Sequence, residues 1–349
     1  MLPAVNLKPA FNITRASHIR LSVRDLAESR AFYERIVGLV VTEATDTACY
    51  MRGLGEICHH SLVLELGGAP RVCRQAGLRV MFDEDLDAAR DYFRALGLPA
   101  EWAGEEHQGR TLHVSDPFGT PLELCASMPT QPRLYTAVEL FTGGQAQQFD
   151  HIQILAPDPN SVCAFYGDLG FRHSEYIASD EEILAGFMYR KGTCLDLAVA
   201  KGPGPRLHHF AYTVPESRDI FSACDIAGNL GYGDCVERGP GRHGPGGMLF
   251  VYLRDPDGHR VELFLNHYQT IDIETEPIRW EAGSLSTNAR WGLPGPARWY
   301  EEASDFTSVP VTAPAAGQPP MTLERYLLEN QTNANEEVAS GTSSVSESE

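Results

Sequence analysis

Basic residues are scarce in this 349-residue chain, which has 28 Lys and Arg against 47 Asp and Glu and a formal net charge of -19. Because phosphate backbones are bound by a positively charged face, this balance argues against a nucleic-acid partner. Long apolar runs are lacking as well. No stretch reaches the roughly 18 apolar residues that a membrane helix needs, and the N-terminal residues have no signal-peptide core. We therefore expect a cytoplasmic protein with no membrane partner.

Paired cysteines are also lacking. The eight cysteines are scattered and form no C-x-x-C pair, so the sequence favours neither a disulfide framework nor a thiolate zinc site. In a reducing compartment they are expected to be buried or half-buried free thiols.

An internal repeat is present in the chain. A first set of residues recurs 133 positions later, and a second set recurs 139 positions later, which indicates two homologous halves. The first set is His18, Asp25 and Ala31-Phe32-Tyr33, which recur as His151, Asp158 and Ala164-Phe165-Tyr166, and the second is the run 116–124, which recurs as 255–263.

Within each half, the hydrophobic pattern predicts two smaller units. A strand-like alternation is followed by helical spacing, a glycine and then short apolar stretches bounded by Gly or Pro. The simplest organisation is an α+β fold of four βαβββ modules, two in each domain. We predict an arm at 1–14, an N-terminal domain at 15–130, a linker at 131–148, a C-terminal domain at 149–265, an aromatic extension at 266–302 and a partly disordered tail at 303–349.

Three residues of the second half form a candidate metal site. His151 and His209 each begin a predicted module, and Glu262 lies inside an apolar strand, where a carboxylate is costly to bury without a cation. A single histidine at a strand start is more often a satisfied core or surface residue than a ligand. Two imidazoles and one carboxylate together are the set that holds non-haem Fe(II) and leaves positions open.

Three runs in the second half carry a family resemblance. They resemble the extradiol ring-cleaving dioxygenases of the vicinal oxygen chelate superfamily, in the branch of the catechol and homoprotocatechuate 2,3-dioxygenases. The similarity covers roughly residues 15–302. The runs are Arg206-Leu207-His208-His209-Phe210, Glu237-Arg238-Gly239-Pro240-Gly241-Arg242-His243-Gly244 and the segment from Tyr252 to Glu262.

This resemblance implies two glyoxalase/bleomycin-resistance-like domains, each of two βαβββ modules, and a metal held by His151, His209 and Glu262. The metal is Fe(II), with Mn(II) as the alternative, because both accept the same nitrogen and oxygen ligands. His243 and Tyr252 match residues that assist catalysis beside the substrate. His208 is expected on the opposite face of its strand from His209. The family also implies a homo-oligomer, a tetramer.

The N-terminal domain is predicted to lack a complete metal site. It keeps His18 and Glu123, but the segment matched to the His209 strand is 78–82, Leu-Arg-Val-Met-Phe, and offers no imidazole. Only the second half can therefore supply all three ligands.

Two departures from the family pattern bear on catalysis and substrate choice. Leu195 is matched to the family's acid/base histidine, and leucine cannot transfer a proton. Either another group such as His243 takes over, or the substrate needs less proton assistance, or the match is shifted at this position. Where the homoprotocatechuate branch has two arginines for the substrate carboxylate, this chain has Thr287 and Asn288, with Arg242 and Arg290 as partial substitutes. We therefore expect a less acidic substituted catechol or a bulkier diol as substrate.

The leading functional hypothesis is an extradiol dioxygenase that cleaves a catechol-type ring beside its hydroxyls with O2, giving a semialdehyde in aromatic-compound catabolism. A vicinal-oxygen-chelate isomerase or lyase, using the metal only as a Lewis acid, is the alternative suggested by Leu195. A non-enzymatic protein that sequesters a small molecule is a third possibility, although such a protein has no need of the metal ligands.

Overall fold

The computed structural model describes residues 2–180, 182–265, 267–284, 287, 289–317 and 319–331. Residues 332–349, which include the part of the tail predicted to be disordered, lie outside this description, as does Asn288. Every helix in the described ranges is too short or too polar to cross a bilayer.

The first half contains two successive βαβββ modules, as the sequence predicts. The first module is β1 (Ile13–Val23), α1 (Leu26–Phe32), β2 (Val40–Ala44), β3 (Ala48–Arg52) and β4 (Leu62–Leu66), and the second is β5 (Val72–Val80), α2 (Asp83–Ala95), β6 (Ala100–Ala103), β7 (Thr111–Ser115) and β8 (Pro121–Cys125).

The second half repeats this order, which confirms the predicted α+β class and the four modules. Its modules are β9 (Gln148–Ala156), α3 (Pro159–Asp168), β10 (Arg172–Ser179), β11 (Glu182–Tyr189) and β12 (Leu197–Lys201), then β13 (Arg206–Thr213), α4 (Ser217–Asn229), β14 (Val236–Arg242), β15 (Leu249–Arg254) and β16 (Arg260–Leu265). The chain continues through β17 (Ile278–Glu281), α5 (Ala297–Glu301) and β18 (Ser304–Phe306).

Equivalent aspartates begin the first helix of each half. The Asp25 carboxylate accepts hydrogen bonds from the backbone N–H groups of residues 27 and 28, and Asp158 does the same for residues 160 and 161. These bonds satisfy donors that have no partner within the helix. The displacement of 133 residues in the sequence thus corresponds to a repeated helix start.

In each half, the first strands of the two modules pair antiparallel at the centre of the sheet. β1 pairs with β5, and β9 pairs with β13. The last strand of each module then lies parallel to its first, as β16 lies beside β13. This arrangement places strands from both modules of one half next to each other, and β18 joins the halves by pairing with β5 and β13.

The two halves interlock through a reciprocal pair of hydrogen bonds. The Tyr33 hydroxyl donates to Asp255 Oδ2 over 2.9 Å, and its repeat counterpart Tyr166 donates to Asp116 Oδ2 over 3.0 Å. The other oxygen of each aspartate accepts backbone N–H groups of its own turn, between β7 and β8 or between β15 and β16. Each buried tyrosine therefore joins a helix of one half to a hairpin of the other.

Removing either tyrosine hydroxyl is expected to destabilise the protein. Tyr33→Phe and Tyr166→Phe each leave a buried carboxylate oxygen without its donor, so each should lower the free energy of unfolding by about 1–3 kcal/mol. Denaturant unfolding followed by circular dichroism measures the change. Tyr135→Phe is the control, since that side chain is 58% exposed. Equal stability of all four proteins would contradict the interlock.

Candidate active site

The three predicted ligands lie on three neighbouring strands. His151 is on β9, His209 is on the adjacent β13, and Glu262 is on β16, which lies on the other side of β13. Residues 50 to 60 positions apart in the sequence are brought together because β13 lies between β9 and β16. The module order itself therefore positions the group.

Their donor atoms face one another. His151 Nε2 lies 3.3 Å from His209 Nε2 and 3.2 Å from Glu262 Oε2, and His209 Nε2 lies 3.4 Å from the same oxygen. Donors bound to one ion at about 2.1 Å are roughly 3 Å apart when they sit at right angles. All three residues are buried. The donor set and its spacing therefore fit a divalent metal ion.

The charge of Glu262 supports the same fit. Burial alone would raise the pKa of this carboxyl group, but the close contacts of its oxygens with the imidazoles of His151, His209 and His243 hold the pKa well below its usual value. Among the described residues, every ion-pair partner of Glu262 is an imidazole, and none is a lysine or arginine. A buried anion without a fixed cation is costly, and a bound dication would supply the missing charge.

His209 is available as a neutral ligand. Burial lowers its pKa to about 4, although Glu262 acts in the opposite direction. At neutral pH its imidazole is therefore uncharged and can offer a lone pair to a metal.

His208 does not lie on the opposite face of β13, so that prediction is wrong. The pairing of β13 with β9 is irregular between Leu207 and His209, which breaks the simple alternation of side chains. As a result, His208 Nδ1 lies 2.8 Å from His209 Nδ1.

His243 and Tyr252 both lie beside the three ligands. His243 Nε2 is 3.0 Å from Glu262 Oε1 and 3.0 Å from the Tyr252 hydroxyl oxygen. The ring of His243 stacks on Phe250 with centroids 3.8 Å apart, which fixes its orientation. Burial raises the pKa of Tyr252 well above its usual value, so its hydroxyl remains protonated and can donate a hydrogen bond.

A cavity of about 680 Å³ opens onto this group of residues. Leu195 and Thr287 are in its wall, whereas Arg242 and Arg290 are not. The Arg242 guanidinium instead donates to the carbonyl of Gly247, and the Arg290 guanidinium lies 5.5 Å from the Trp280 ring centroid. The apolar part of the wall includes Leu155, Ile177, Leu184, Phe187, Leu195, Met248, Trp299 and Tyr300.

The sequence patterns did not identify Asp150 as a residue of the candidate site. Its Oδ2 lies 2.8 Å from His151 Nδ1 and 2.7 Å from His267 Nε2, so it orients the candidate ligand from behind. An acidic residue directly before His151 in an otherwise apolar strand was the available signal. The position of His267, which lies 117 residues from Asp150, has no such signal in the sequence.

Comparisons with known proteins agree with this architecture. Residues 15–124 and 148–263 match the model of the Glyoxalase/Bleomycin resistance protein/Dioxygenase superfamily. The chain belongs to this superfamily. It is 32% identical over 297 residues to a manganese-dependent 2,3-dihydroxybiphenyl 1,2-dioxygenase of Geobacillus genomosp. 3, an alignment that covers 80% of this chain and 93% of the relative.

A second relative and a solved structure are also similar to this chain. A metapyrocatechase of Geobacillus stearothermophilus is 24% identical, with 88% of this chain and 98% of the relative covered. The crystal structure of homoprotocatechuate 2,3-dioxygenase from Arthrobacter globiformis is 35% identical and superposes with a TM-score of 0.85, covering 89% of this chain and 99% of that chain.

Within this superfamily fold, the first half of the chain has no histidine at the position equivalent to His209. The strand equivalent to β13 is β5, which begins six residues earlier than the predicted segment 78–82. Ala76 pairs with Leu122 as Phe210 pairs with Val261, so the counterpart of His209 is Gln75. The first half therefore has an amide at this position.

Cationic side chains surround the equivalent carboxylate of the first half. Glu123 accepts hydrogen bonds from His18 and His113, and the Arg20 guanidinium lies 3.7 Å from it and 2.7 Å from Glu105. His113 is the repeat counterpart of Tyr252, displaced by 139 residues. The buried carboxylate of this half is thus compensated by its own side chains.

A third group, formed by Glu43, His59 and His107, has a different geometry. Its two imidazole rings are stacked with centroids 4.0 Å apart and an angle of 11° between their planes. Lone pairs of stacked rings lie in parallel planes and do not meet at one ion. This arrangement therefore does not resemble the set on β9, β13 and β16.

Protonation of His113 is expected to stabilise the protein in a defined pH range. Burial lowers the pKa of His113, but hydrogen bonds to Glu105 and Glu123 outweigh it and raise the pKa to about 9. Because this exceeds the unfolded value of about 6.5, the added stability is complete below pH ~6.5 and is lost as pH rises through ~9. Urea unfolding of wild type and His113→Gln should give a difference that shrinks between these values.

His173→Gln is the matched control for this titration. Burial lowers the pKa of His173 to about 4, so the residue is uncharged in both states above pH ~7 and its effect on stability should be constant there. A His113→Gln effect that is equally constant up to pH ~10 would overturn the assignment.

Proposed function

We propose that this chain is an extradiol dioxygenase, which opens a catechol-type ring next to its two hydroxyl groups with O2 and releases a semialdehyde for further catabolism. The single observation that carries the proposal is the convergence of His151, His209 and Glu262 within 3.4 Å of one another in the wall of a large cavity. Its relatives named above are dioxygenases of this kind.

His151, His209 and Glu262 would hold Fe(II) or Mn(II). Such an ion supplies a positive, redox-capable centre with open positions for a diol and dioxygen. The manganese-dependent relative makes Mn(II) as reasonable as Fe(II).

His243 and Tyr252 have complementary tasks beside the substrate. Burial lowers the pKa of His243, so its imidazole is neutral at pH 7 and can accept a proton from a substrate hydroxyl at Nε2. The Tyr252 hydroxyl, 3.0 Å away, remains a donor that can hold a substrate oxygen. Because Leu195 can neither give nor take a proton, His243 is the residue best placed for proton transfer.

The cavity favours a bulky substrate without a carboxylate. Leu195 and Phe187 form part of an apolar wall. Thr287, also in the wall, is matched to one of the two arginines with which the homoprotocatechuate branch binds the substrate carboxylate. Burial of a carboxylate against this apolar part of the wall would cost more binding energy than burial of an aryl or alkyl substituent there. We therefore propose an aryl-substituted or alkyl-substituted catechol, in line with the dihydroxybiphenyl named for one relative.

We also propose that the protein works in the cytoplasm as a homotetramer. All eight cysteines are free thiols, as proteins of reducing compartments require. The tetramer rests on the family resemblance.

A second candidate function is a metal-dependent isomerase or lyase. It is favoured by Leu195, since Lewis-acid chemistry on a bound diol does not need the proton transfer that a histidine would provide there. This alternative predicts turnover without consumption of oxygen.

Oxygen uptake tests the main proposal. Protein loaded with Fe(II) or Mn(II) should consume O2 with 2,3-dihydroxybiphenyl and form a yellow product, with kcat/KM at least about tenfold above that for homoprotocatechuate, whose carboxylate would meet the apolar part of the wall. Chelation of the metal or His209→Ala should abolish uptake, whereas His173→Gln should not. Protein that binds metal but never consumes O2 with any catechol would exclude the dioxygenase.

Leu195→His tests the missing acid/base group. If proton transfer limits turnover, the variant should raise kcat for unsubstituted catechol about tenfold, since a positioned proton-transfer group contributes at least that much. Leu195→Asn is the control, because asparagine adds polarity without a titratable proton. Equal kcat for Leu195→His and wild type would mean that this position does not transfer the proton.

A further inference from the structure

In both candidate ligand histidines, the ring nitrogen Nδ1, which points away from the other candidate ligands, has a hydrogen-bond partner. The partner of His151 differs from that of His209. His151 Nδ1 lies 2.8 Å from Asp150 Oδ2. An ionised carboxylate only accepts hydrogen bonds, so His151 must carry its proton on Nδ1. Its Nε2 lone pair then faces His209 and Glu262.

The partner of His209 is another imidazole. His209 Nδ1 and His208 Nδ1 are 2.8 Å apart, so one of the two nitrogens must donate and the other accept. The hydrogen-bond partner of the other ring nitrogen of His208, Nε2, decides which of the two Nδ1 atoms donates. His208 Nε2 lies 2.9 Å from the backbone carbonyl oxygen of Trp299, which can only accept.

The proton positions follow in sequence from that carbonyl. His208 carries its proton on Nε2, and as a neutral ring it has a lone pair on Nδ1. A second proton on His208 is disfavoured by Arg260, whose guanidinium is buried and donates to the His208 carbonyl over 3.0 Å. His209 therefore donates from Nδ1 and keeps Nε2 free.

We propose that His208 is a positioning residue that fixes the tautomer of His209 for metal binding, and that the Trp299 carbonyl fixes His208 in turn. The inference rests on the proposed metal ligands. It gives the C-terminal extension a direct connection to the metal site, because Trp299 belongs to α5. Groups that orient a ligand histidine typically change metal affinity by about 10–100-fold when they are removed.

The packing around Trp299 keeps this carbonyl in place. The indole ring lies edge-on to His208 with centroids 4.5 Å apart and also contacts Tyr252 at 4.2 Å. The Arg260 guanidinium lies 4.5 Å from the same ring. Trp299 is 7% exposed, so little freedom remains for the backbone that carries the carbonyl.

Metal affinity tests the proposal directly. Mn²⁺ binding to the full chain is measured by competition with a chelator, with free Mn²⁺ followed by electron paramagnetic resonance. His208→Leu removes the acceptor and should weaken Mn²⁺ binding about 10–100-fold. His208→Asn, whose Oδ1 can replace Nδ1 as an acceptor, should restore affinity to within a few-fold of wild type. His173→Leu, which removes a buried imidazole outside the cavity wall, should leave affinity unchanged.

The outcomes separate this inference from the proposed function. Wild type that binds no Mn²⁺, or His209→Ala that binds it as well as wild type does, would refute the metal site itself. Wild-type affinity in His208→Leu, with binding still lost in His209→Ala, would overturn only the task of His208.

A measurement on unaltered protein keeps the proposal testable if His208→Leu does not fold. Nitrogen-15 spectra of histidine-labelled metal-free protein report which ring nitrogen is protonated, with assignments from His208→Asn and His209→Ala. We expect the proton on Nε2 of His208 and on Nδ1 of His209. The reverse pattern in either ring would contradict the proposal.

Discussion

The candidate site depends on a buried carboxylate that pairs with no lysine or arginine in the described part of the chain. Glu262 lies on β16, and its oxygens face the imidazoles of His151, His209 and His243. Such a group is tolerable in a low-dielectric interior when a dication completes the set. The remaining features of the site can be understood as ways of presenting two nitrogen donors and one oxygen donor to such an ion.

The buried carboxylates Glu123 and Glu262, which are equivalent in the two halves, have different surroundings. In the first half, Glu123 is neutralised by Arg20 and His113, and Gln75 occupies the position equivalent to His209. In the second half, the residues equivalent to Arg20 and His113 are Gln153 and Tyr252, which bring no positive charge. The repeat therefore preserves the carboxylate on its strand but changes the side chains that surround it.

The C-terminal extension completes the cavity and reaches the ligands from outside the repeated modules. Trp299 packs between His208 and Tyr252, and its backbone carbonyl faces His208. Leu195, also in the cavity wall, is held by the Lys191 ammonium group, which donates to its carbonyl over 2.6 Å and pairs with Asp150 and Asp196. Lys191 therefore links the cavity wall at Leu195 to Asp150, which lies behind His151.

The sequence alone determined the duplicated fold and the three candidate ligands, because hydrophobic periodicity, the displaced repeat and motif resemblance are properties of the chain order. The tertiary structure decided which groups support those ligands. A bulge in β13 places the His208 side chain next to that of His209, which strict alternation could not predict. The Arg242 guanidinium donates a hydrogen bond to the Gly247 carbonyl and does not line the cavity. His267 contacts Asp150, and the Trp299 carbonyl contacts His208, only because separate strands and the C-terminal extension pack together.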